Sequence, residues 1–153
     1  METYPLIMSG KVEPGKQLGR TLGFPTANIK YKPSQGKYGF PEDGVYLAYA
    51  IIRNAQELNG SYPAIVNVGR HPTAPEGPPT IEAHLLGWPE NEKIYNKRLD
   101  LIFITYFRPE QKFPSLDALR EQLNKDREQA LAYIRQHPDR FSDCKGVNEI
   151  IHE

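Results

Sequence analysis

The sequence contains a single cysteine, Cys144, which excludes an internal disulfide and a cysteine-rich metal site. It also lacks an excess of either charge, because 19 basic residues balance 19 acidic ones. Proteins that bind the phosphate backbone of nucleic acids usually carry a basic excess, so we do not expect nucleic acid as a partner. No apolar run approaches the roughly 20 residues of a membrane span, and the N-terminus lacks the pattern of a secretion signal. We therefore expect a cytoplasmic protein that does not bind membranes.

Proline (14), glycine (12) and tyrosine (9) are abundant in the 153 residues, which is typical of a small all-β domain with many turns. Segments rich in aliphatic and aromatic residues alternate with loops rich in proline and glycine. The predicted strands are residues 6–13, 26–31, 45–52, 62–69, 80–88 and 98–108. No internal repeat is present, and the length fits one domain.

One long helix is predicted after the last strand, with Ser115 as its N-cap and Pro138 just beyond its end. Its apolar residues recur at helical spacing at positions 116, 119, 123, 130, 131 and 134. Several short strands followed by one helix favour an antiparallel sheet, closed as a barrel so that no edge stays free, with the helix docked on it. Beyond residue 138 the pattern is weak, which fits a disordered tail, an added short element or part of a linker.

The run "GRTLGFPTAN" at residues 19–28 places glycines and a proline around hydroxyl and amide side chains. Glycines allow the backbone to pass close to a bulky ligand such as a polyphosphate, and Arg20 can add charged donors. Thr26 and Asn28 lie on one face of an extended strand, where their oxygens can meet one Mg²⁺. The alternative is a turn-rich hairpin in which Thr26 and Asn28 cap their own backbone. The run matches neither a Walker A loop nor a dinucleotide fingerprint.

Five segments in order resemble riboflavin kinases (flavokinases). They are "GKVEPGKQLGRTLGFPTANI", "GVYLAYA", "YPAIVNVGRHPT", "IEAHLLG" and "IYNKRLDLIFITYFRPEQKFPSLDALREQLNKDREQA". The resemblance implies a mainly β fold, a six-stranded antiparallel Greek-key barrel with a long C-terminal helix. It also implies a kinase domain at residues 1–138 and a C-terminal tail at 139–153.

The resemblance implies transfer of the ATP γ-phosphate to the ribityl 5′-hydroxyl of riboflavin, giving FMN and ADP. It makes Glu82 the catalytic residue that accepts the proton, and an ionised carboxylate in the apolar strand "TIEAHLL" is costly without a purpose or partner. The alternative is a surface-facing strand glutamate. The resemblance makes Thr26 and Asn28 ligands of Mg²⁺, with Zn²⁺ or Mn²⁺ as alternatives, and Thr26 also a phosphate contact. Gly15 and Arg20 carry over to the ATP loop.

Further binding residues carry over in two groups. Leu85, Gly87 and Tyr95 match positions that line the nucleotide site, with ordinary packing as the alternative. Asn96 replaces a glycine common in the family, so a different turn is expected there.

The second group, Arg108, Gln111 and Phe113, matches the flavin-contacting loop, where a ring and a guanidinium can stack on the isoalloxazine. Phe113 can also act as a hydrophobic staple onto the helix. His71 and His84 have no clustered ligand spacing, which favours a structural role.

A non-catalytic flavin-binding barrel is an alternative to the kinase. Thr26, Asn28 and Glu82 oppose this alternative because flavin storage needs neither metal nor base. A small-barrel nucleic-acid binder is opposed by the neutral charge. The nucleotidyltransferase domain of bifunctional bacterial enzymes is not found in this sequence, so FAD synthesis by this chain alone is not expected. The chain is then a monofunctional kinase or a domain of a longer protein, and we expect a monomer.

Overall fold

This computed structural model describes residues 6–13, 26–31, 41–69, 79–89, 94–145 and 147, and within them the chain forms six strands and one long helix. The strands are β1 (Ile7–Glu13), β2 (Ala27–Tyr31), β3 (Gly44–Ile52), β4 (Gly60–Gly69), β5 (Thr80–Leu85) and β6 (Arg98–Arg108), and the helix is α1 (Leu116–Gln136). Short 3₁₀ helices span Gln56–Leu58 and Pro138–Arg140.

All the strands predicted from the sequence are confirmed, and the largest difference in their bounds is in β5. This strand ends at Leu85 rather than at residue 88, because a turn follows in which Gly87 has a φ of +89°, a conformation that glycine adopts without strain. In the described part of the chain, no helix is long and apolar enough to cross a membrane.

The strands form a closed antiparallel barrel in the order β1-β2-β5-β4-β3-β6. Strands β3, β4 and β5 are successive neighbours, and β6 returns to pair with β3. The resulting spatial order β6-β3-β4-β5 is that of a Greek key. Pairing of β6 with β1 closes the sheet, so the predicted Greek-key barrel is confirmed.

Small side chains line much of the barrel interior, because a closed sheet of few strands leaves little room inside. Ala27, Ala48, Ala50, Ala64 and Ala83 are all buried in the interior cluster, interleaved with larger aliphatic residues. Neighbouring backbone is also close at Gly10, where a Cβ atom would lie 2.2 Å from the carbonyl oxygen of Lys30. Alternation along each strand then places every second residue on the outer face.

Helix α1 covers part of that outer face through its C-terminal half. Ala130, Leu131 and Ile134 are buried against a cluster that includes Leu47 and Leu86. Ser115 is the N-cap as predicted, since its Oγ accepts a hydrogen bond from the backbone N–H of Ala118 at 3.1 Å. The predicted apolar face is only partly buried, because Leu116 remains 53% exposed while burial in the helix begins at Asp126.

The chain beyond the helix packs back onto the barrel. Phe141 is fully buried in the cluster beneath α1, and the hydroxyl of Tyr49 donates to the carbonyl of Arg140 at 2.5 Å. The backbone N–H of Lys145 donates to the carbonyl of Ser61 on β4 at 2.8 Å. Over residues 138–145 and 147, the chain is therefore an added short element of the barrel, while the domain boundary at residue 138 stays a prediction.

Candidate active site

One row of directly paired residues, with one residue from each strand, crosses the outer face of the barrel. This row contains several polar and charged side chains. Residues directly opposite one another on paired strands share a face of the sheet. Following the pairing from β1 through β2, β5, β4 and β3 to β6, the row consists of Glu13, Asn28, Glu82, Asn67, Val45 and Arg108. We call these residues the site row.

The site row faces outward because its neighbours along each strand face inward. Ala27 and Ile29 flank Asn28 and lie in the interior cluster, and Ile81 and Ala83 do the same around Glu82. Thr26 precedes β2 by one residue and is half-buried. Alternation counted from Asn28 indicates the same side of the sheet for Thr26, so the shared side of the two residues stays a prediction.

Glu82 occupies the centre of the row. It is half-buried, with Asn28 directly opposite on β2 and Asn67 directly opposite on β4. Directly opposed residues have Cβ atoms about 4.5–5.5 Å apart, so one carboxylate is flanked by two amide side chains. Glu82 is therefore neither buried in the core nor fully exposed to water. A carboxylate with amides on both sides can accept a proton beside a ligand that those amides bind.

Arg108 ends the row on β6, where it binds a carboxylate that the sequence analysis did not single out. Its Nε and Nη2 atoms each donate to Asp126 of helix α1 at 2.8 Å, and the Asp126 side chain is only 2% exposed. Gln122 donates a further hydrogen bond to Asp126 at 3.0 Å. A β-bulge beside Val45 leaves Phe107 as the extra residue of β6 and sets Arg108 opposite Val45. The pair therefore ties helix α1 to this end of the row.

The loop that follows β6 lies next to this ion pair. The guanidinium carbon of Arg108 is 6.0 Å from the centre of the half-buried Phe113 ring, and its Nη1 donates to the carbonyl of Pro109 at 3.2 Å. Glu110 reaches over the end of β4, where a Cβ atom on Gly69 would lie 1.9 Å from its Oε1. Gln111 is exposed in the same loop. The structure thus brings Arg108 and Phe113 together, with the guanidinium bound by Asp126, and the contact of either residue with a flavin stays a prediction.

The predicted nucleotide-lining residues lie apart from the site row. Leu85 is buried in the barrel interior, and the half-buried Tyr95 packs against the same interior cluster. Gly87 is exposed in the turn after β5. For Leu85 and Tyr95 this is the packing that the sequence left open as an alternative, and their contact with a nucleotide stays a prediction. Gly15, Arg20 and His71 lie outside the described residues.

Asn96 and His84 are two further residues that the sequence singled out. Asn96 has a φ of +67°, the left-handed conformation that asparagine tolerates and glycine adopts freely, so replacement of the glycine common in the family does not require a different turn. His84 is half-buried on the outer face, opposite Ile65. Among the described residues, no three His, Cys, Asp or Glu side chains group as a metal site.

Asp126 and Asn67 are the residues that sequence reasoning missed. Asp126 lies four residues before Ala130 and eight before Ile134, so all three share one face of the helix. A charged residue on this apolar face could have indicated a buried ion pair. Asn67 is a lone amide in the otherwise apolar strand "YPAIVNVG", which is the corresponding signal on β4.

Comparison with known proteins identifies first the fold class and then the family. The fold is that of riboflavin kinase from Trypanosoma brucei, whose crystal structure matches 97% of this chain and 92% of its own with a TM-score of 0.70 at 22% identity. The profile of the riboflavin kinase family, Flavokinase, matches residues 2–134, and the chain belongs to that family. The resemblance inferred from the sequence motifs is confirmed.

Curated relatives agree with this assignment. The chain is 36% identical over 130 residues to the bifunctional riboflavin kinase/FMN adenylyltransferase of Haemophilus influenzae, covering 85% of the chain and 39% of the relative. It is 35% identical over 135 residues to the protein of the same name from Bacillus subtilis, with the same coverage. The chain thus spans about two fifths of the length of these relatives.

Proposed function

We propose that this chain is a riboflavin kinase that transfers the γ-phosphate of ATP to the 5′-hydroxyl of riboflavin, releasing FMN and ADP. The observation that carries the proposal is the register that sets Glu82 directly opposite Asn28 on the outer face of the barrel. Phosphoryl transfer needs a positioned hydroxyl, a group that takes up its proton and neutralisation of phosphate charge. The two opposed residues supply the second requirement and part of the third.

Glu82 is the proton acceptor in this proposal. The riboflavin oxygen forms the new bond to the γ-phosphorus, the bond from that phosphorus to the oxygen bridging the β-phosphate breaks, and the hydroxyl proton passes to Glu82. The Glu82 carboxylate is half-buried and has an amide side chain on each side. It can therefore contact a ligand on the outer face while part of it is shielded from bulk water.

Thr26 and Asn28 are proposed to hold the divalent cation. Their hydroxyl and amide oxygens are hard donors on one side of β2, which fits Mg²⁺ completed by phosphate oxygens and water. Mn²⁺ and Zn²⁺ are the alternatives. When bound, the cation supplies neutralisation of the phosphate charge. Gly15, Arg20, Leu85, Gly87 and Tyr95 are the further residues proposed for ATP.

The flavin is proposed to bind at the other end of the site row, beside Arg108, Gln111 and Phe113. Because Asp126 binds the Nε and Nη2 edge of Arg108 and Nη1 donates to the Pro109 carbonyl, the guanidinium is proposed to meet the flavin through its planar face. The soluble ligands are then riboflavin, FMN, ATP and ADP, and we expect a cytoplasmic monomer that binds neither nucleic acid nor membrane.

Substitution of the proposed base tests this assignment. Glu82→Gln should keep riboflavin and MgADP affinity while lowering kcat by about 10²- to 10⁴-fold, the usual contribution of a general base. Glu13→Gln is the matched control, because Glu13 is also a half-buried strand glutamate of the site row but lies beyond Asn28 and pairs with Lys30 at 3.6 Å. A near-normal kcat in Glu82→Gln, or an equal loss in Glu13→Gln, would remove Glu82 from this role.

The cation assignment predicts a separate effect on binding. Thr26→Ala and Asn28→Ala should weaken Mg²⁺-dependent ATP binding and leave riboflavin binding without nucleotide largely intact. Calorimetric titration of each ligand distinguishes the two. If either substitution instead abolished riboflavin binding in a folded protein and spared ATP, the assignment of that residue would be wrong.

A further inference from the structure

Asn67 has a buried side-chain oxygen to which the proposed kinase site assigns no role. Its side-chain Oδ1 is shielded from solvent and, among the described residues, accepts no hydrogen bond. A buried acceptor without a donor destabilises a folded protein, so native structures rarely keep one without a reason. The residue as a whole is only half-buried, and the final torsion of an asparagine side chain rotates broadly. The amide can therefore turn its oxygen toward a ligand.

The place of Asn67 in the site row defines which ligand it would meet. It lies between Glu82, where the reacting hydroxyl is proposed to sit, and Arg108, beside which the flavin ring is proposed to sit. Neighbouring strands are about 4.8 Å apart, so Glu82 and Arg108 are separated by about 14 Å. A riboflavin molecule that joins the two ends must run its ribityl chain across the strands between them.

Asn67 and Val45 are the residues of the site row on that path. Val45 is buried and has no polar side-chain atom, so of these two side chains Asn67 is the one that can bind a hydroxyl. A role with the cation is disfavoured by distance. Asn67 is two strand spacings, about 10 Å, from Asn28, with Glu82 between them.

We infer that the Oδ1 of Asn67 accepts a hydrogen bond from a secondary hydroxyl of the ribityl chain and so positions the terminal hydroxyl at Glu82. The inference rests on the proposed function. It assigns the order cation, base, polyol and flavin along one row of the barrel, from β2 to β6. It also makes Asn67 a determinant of specificity for acceptors that carry a polyol rather than an alkyl chain.

The test compares two acceptors in the wild type and two variants by flavin fluorescence quenching, which reports binding without turnover. The acceptors are riboflavin and an analogue with a 5-hydroxypentyl chain, which keeps the terminal hydroxyl and lacks the secondary ones. In Asn67→Leu, the Kd for riboflavin should rise about 3- to 10-fold, the effect of losing one neutral hydrogen bond, while the Kd for the analogue should not change. The control Asn124→Leu, at an exposed helix position, should change neither value.

Further readouts separate this role from others. The melting temperature of Asn67→Leu should not fall, because the lost oxygen has no described partner, and MgADP affinity should stay unchanged. An equal loss for both acceptors, or a loss of MgADP binding, would overturn the inference. Failure of the wild-type protein to bind riboflavin would overturn it together with the proposed function. Riboflavin binding without FMN formation would overturn the proposed function alone.

Discussion

The ion pair between Arg108 and Asp126 is predicted to contribute a large share of the stability at this end of the barrel. The Asp126 side chain is 2% exposed and that of Arg108 is 16% exposed, and two hydrogen bonds of 2.8 Å join them. Asp126→Asn removes the negative charge, keeps the side-chain size and leaves the guanidinium without its counter-charge. Breaking a buried ion pair in this way costs about 3–5 kcal/mol. Because Arg108 retains some contact with water, we expect a loss of about 3 kcal/mol in the free energy of unfolding.

That loss corresponds to a fall in melting temperature of about 6–12 °C for a protein of this size. Thermal unfolding followed by circular dichroism at pH 7 measures it. Asp117→Asn is the matched control on the same helix, because Asp117 is 93% exposed and lies 3.5 Å from Arg120. An exposed pair contributes less than about 1 kcal/mol, so this variant should melt within about 3 °C of the wild type. Equal melting temperatures for the two variants would refute the view that the buried pair ties α1 to β6.

Two further predictions concern single side chains. Burial, and next the charge of Asp143, raises the pKa of the Cys144 thiol from 9.0 to about 11, so native Cys144 should react with iodoacetamide at pH 8 about 100-fold more slowly than in the unfolded chain. Because the folded-state pKa is raised, the contribution of Cys144 to stability is lost as pH rises from about 9 through 11. Equal alkylation rates in the native and unfolded states would contradict the raised pKa. Asn96 at a φ of +67° predicts that Asn96→Gly changes the free energy of unfolding little, whereas Asn96→Val costs about 1–2 kcal/mol in urea denaturation. Equal effects of the two substitutions would argue against the left-handed turn.

Local patterns in the sequence were sufficient to predict the elements of the fold. Strand β6, for example, is a run of β-branched and aromatic residues, and Ser115 caps a segment with clear helical spacing. Such signals depend only on residues that are close in the chain, so they can be recognised without knowledge of the tertiary structure. The helix is confirmed from Leu116 onward, yet the same spacing did not show that Leu116 is exposed while the C-terminal half of α1 is buried. Spacing identifies a helix face and does not fix how far the partner surface extends.

The arrangement of the site was harder to predict because it depends on strand register. Thr26, Asn28 and Glu82 were identified one by one, yet only the pairing of β2, β5 and β4 sets Glu82 between Asn28 and Asn67. A shift of one residue in either pairing would move these side chains to different faces. Asp126 was missed for a related reason, since its partner Arg108 lies on another element and is brought there by a β-bulge.

Formation of FMN is the measurement that tests the central claim most directly. The purified protein is incubated with riboflavin, ATP and Mg²⁺, and flavins and nucleotides are separated by chromatography. The account predicts that FMN and ADP appear in equal amounts, that neither forms without a divalent cation, and that Glu82→Gln abolishes most of the reaction. A wild-type protein that binds riboflavin and ATP but forms no FMN with Mg²⁺, Mn²⁺ or Zn²⁺ would contradict it.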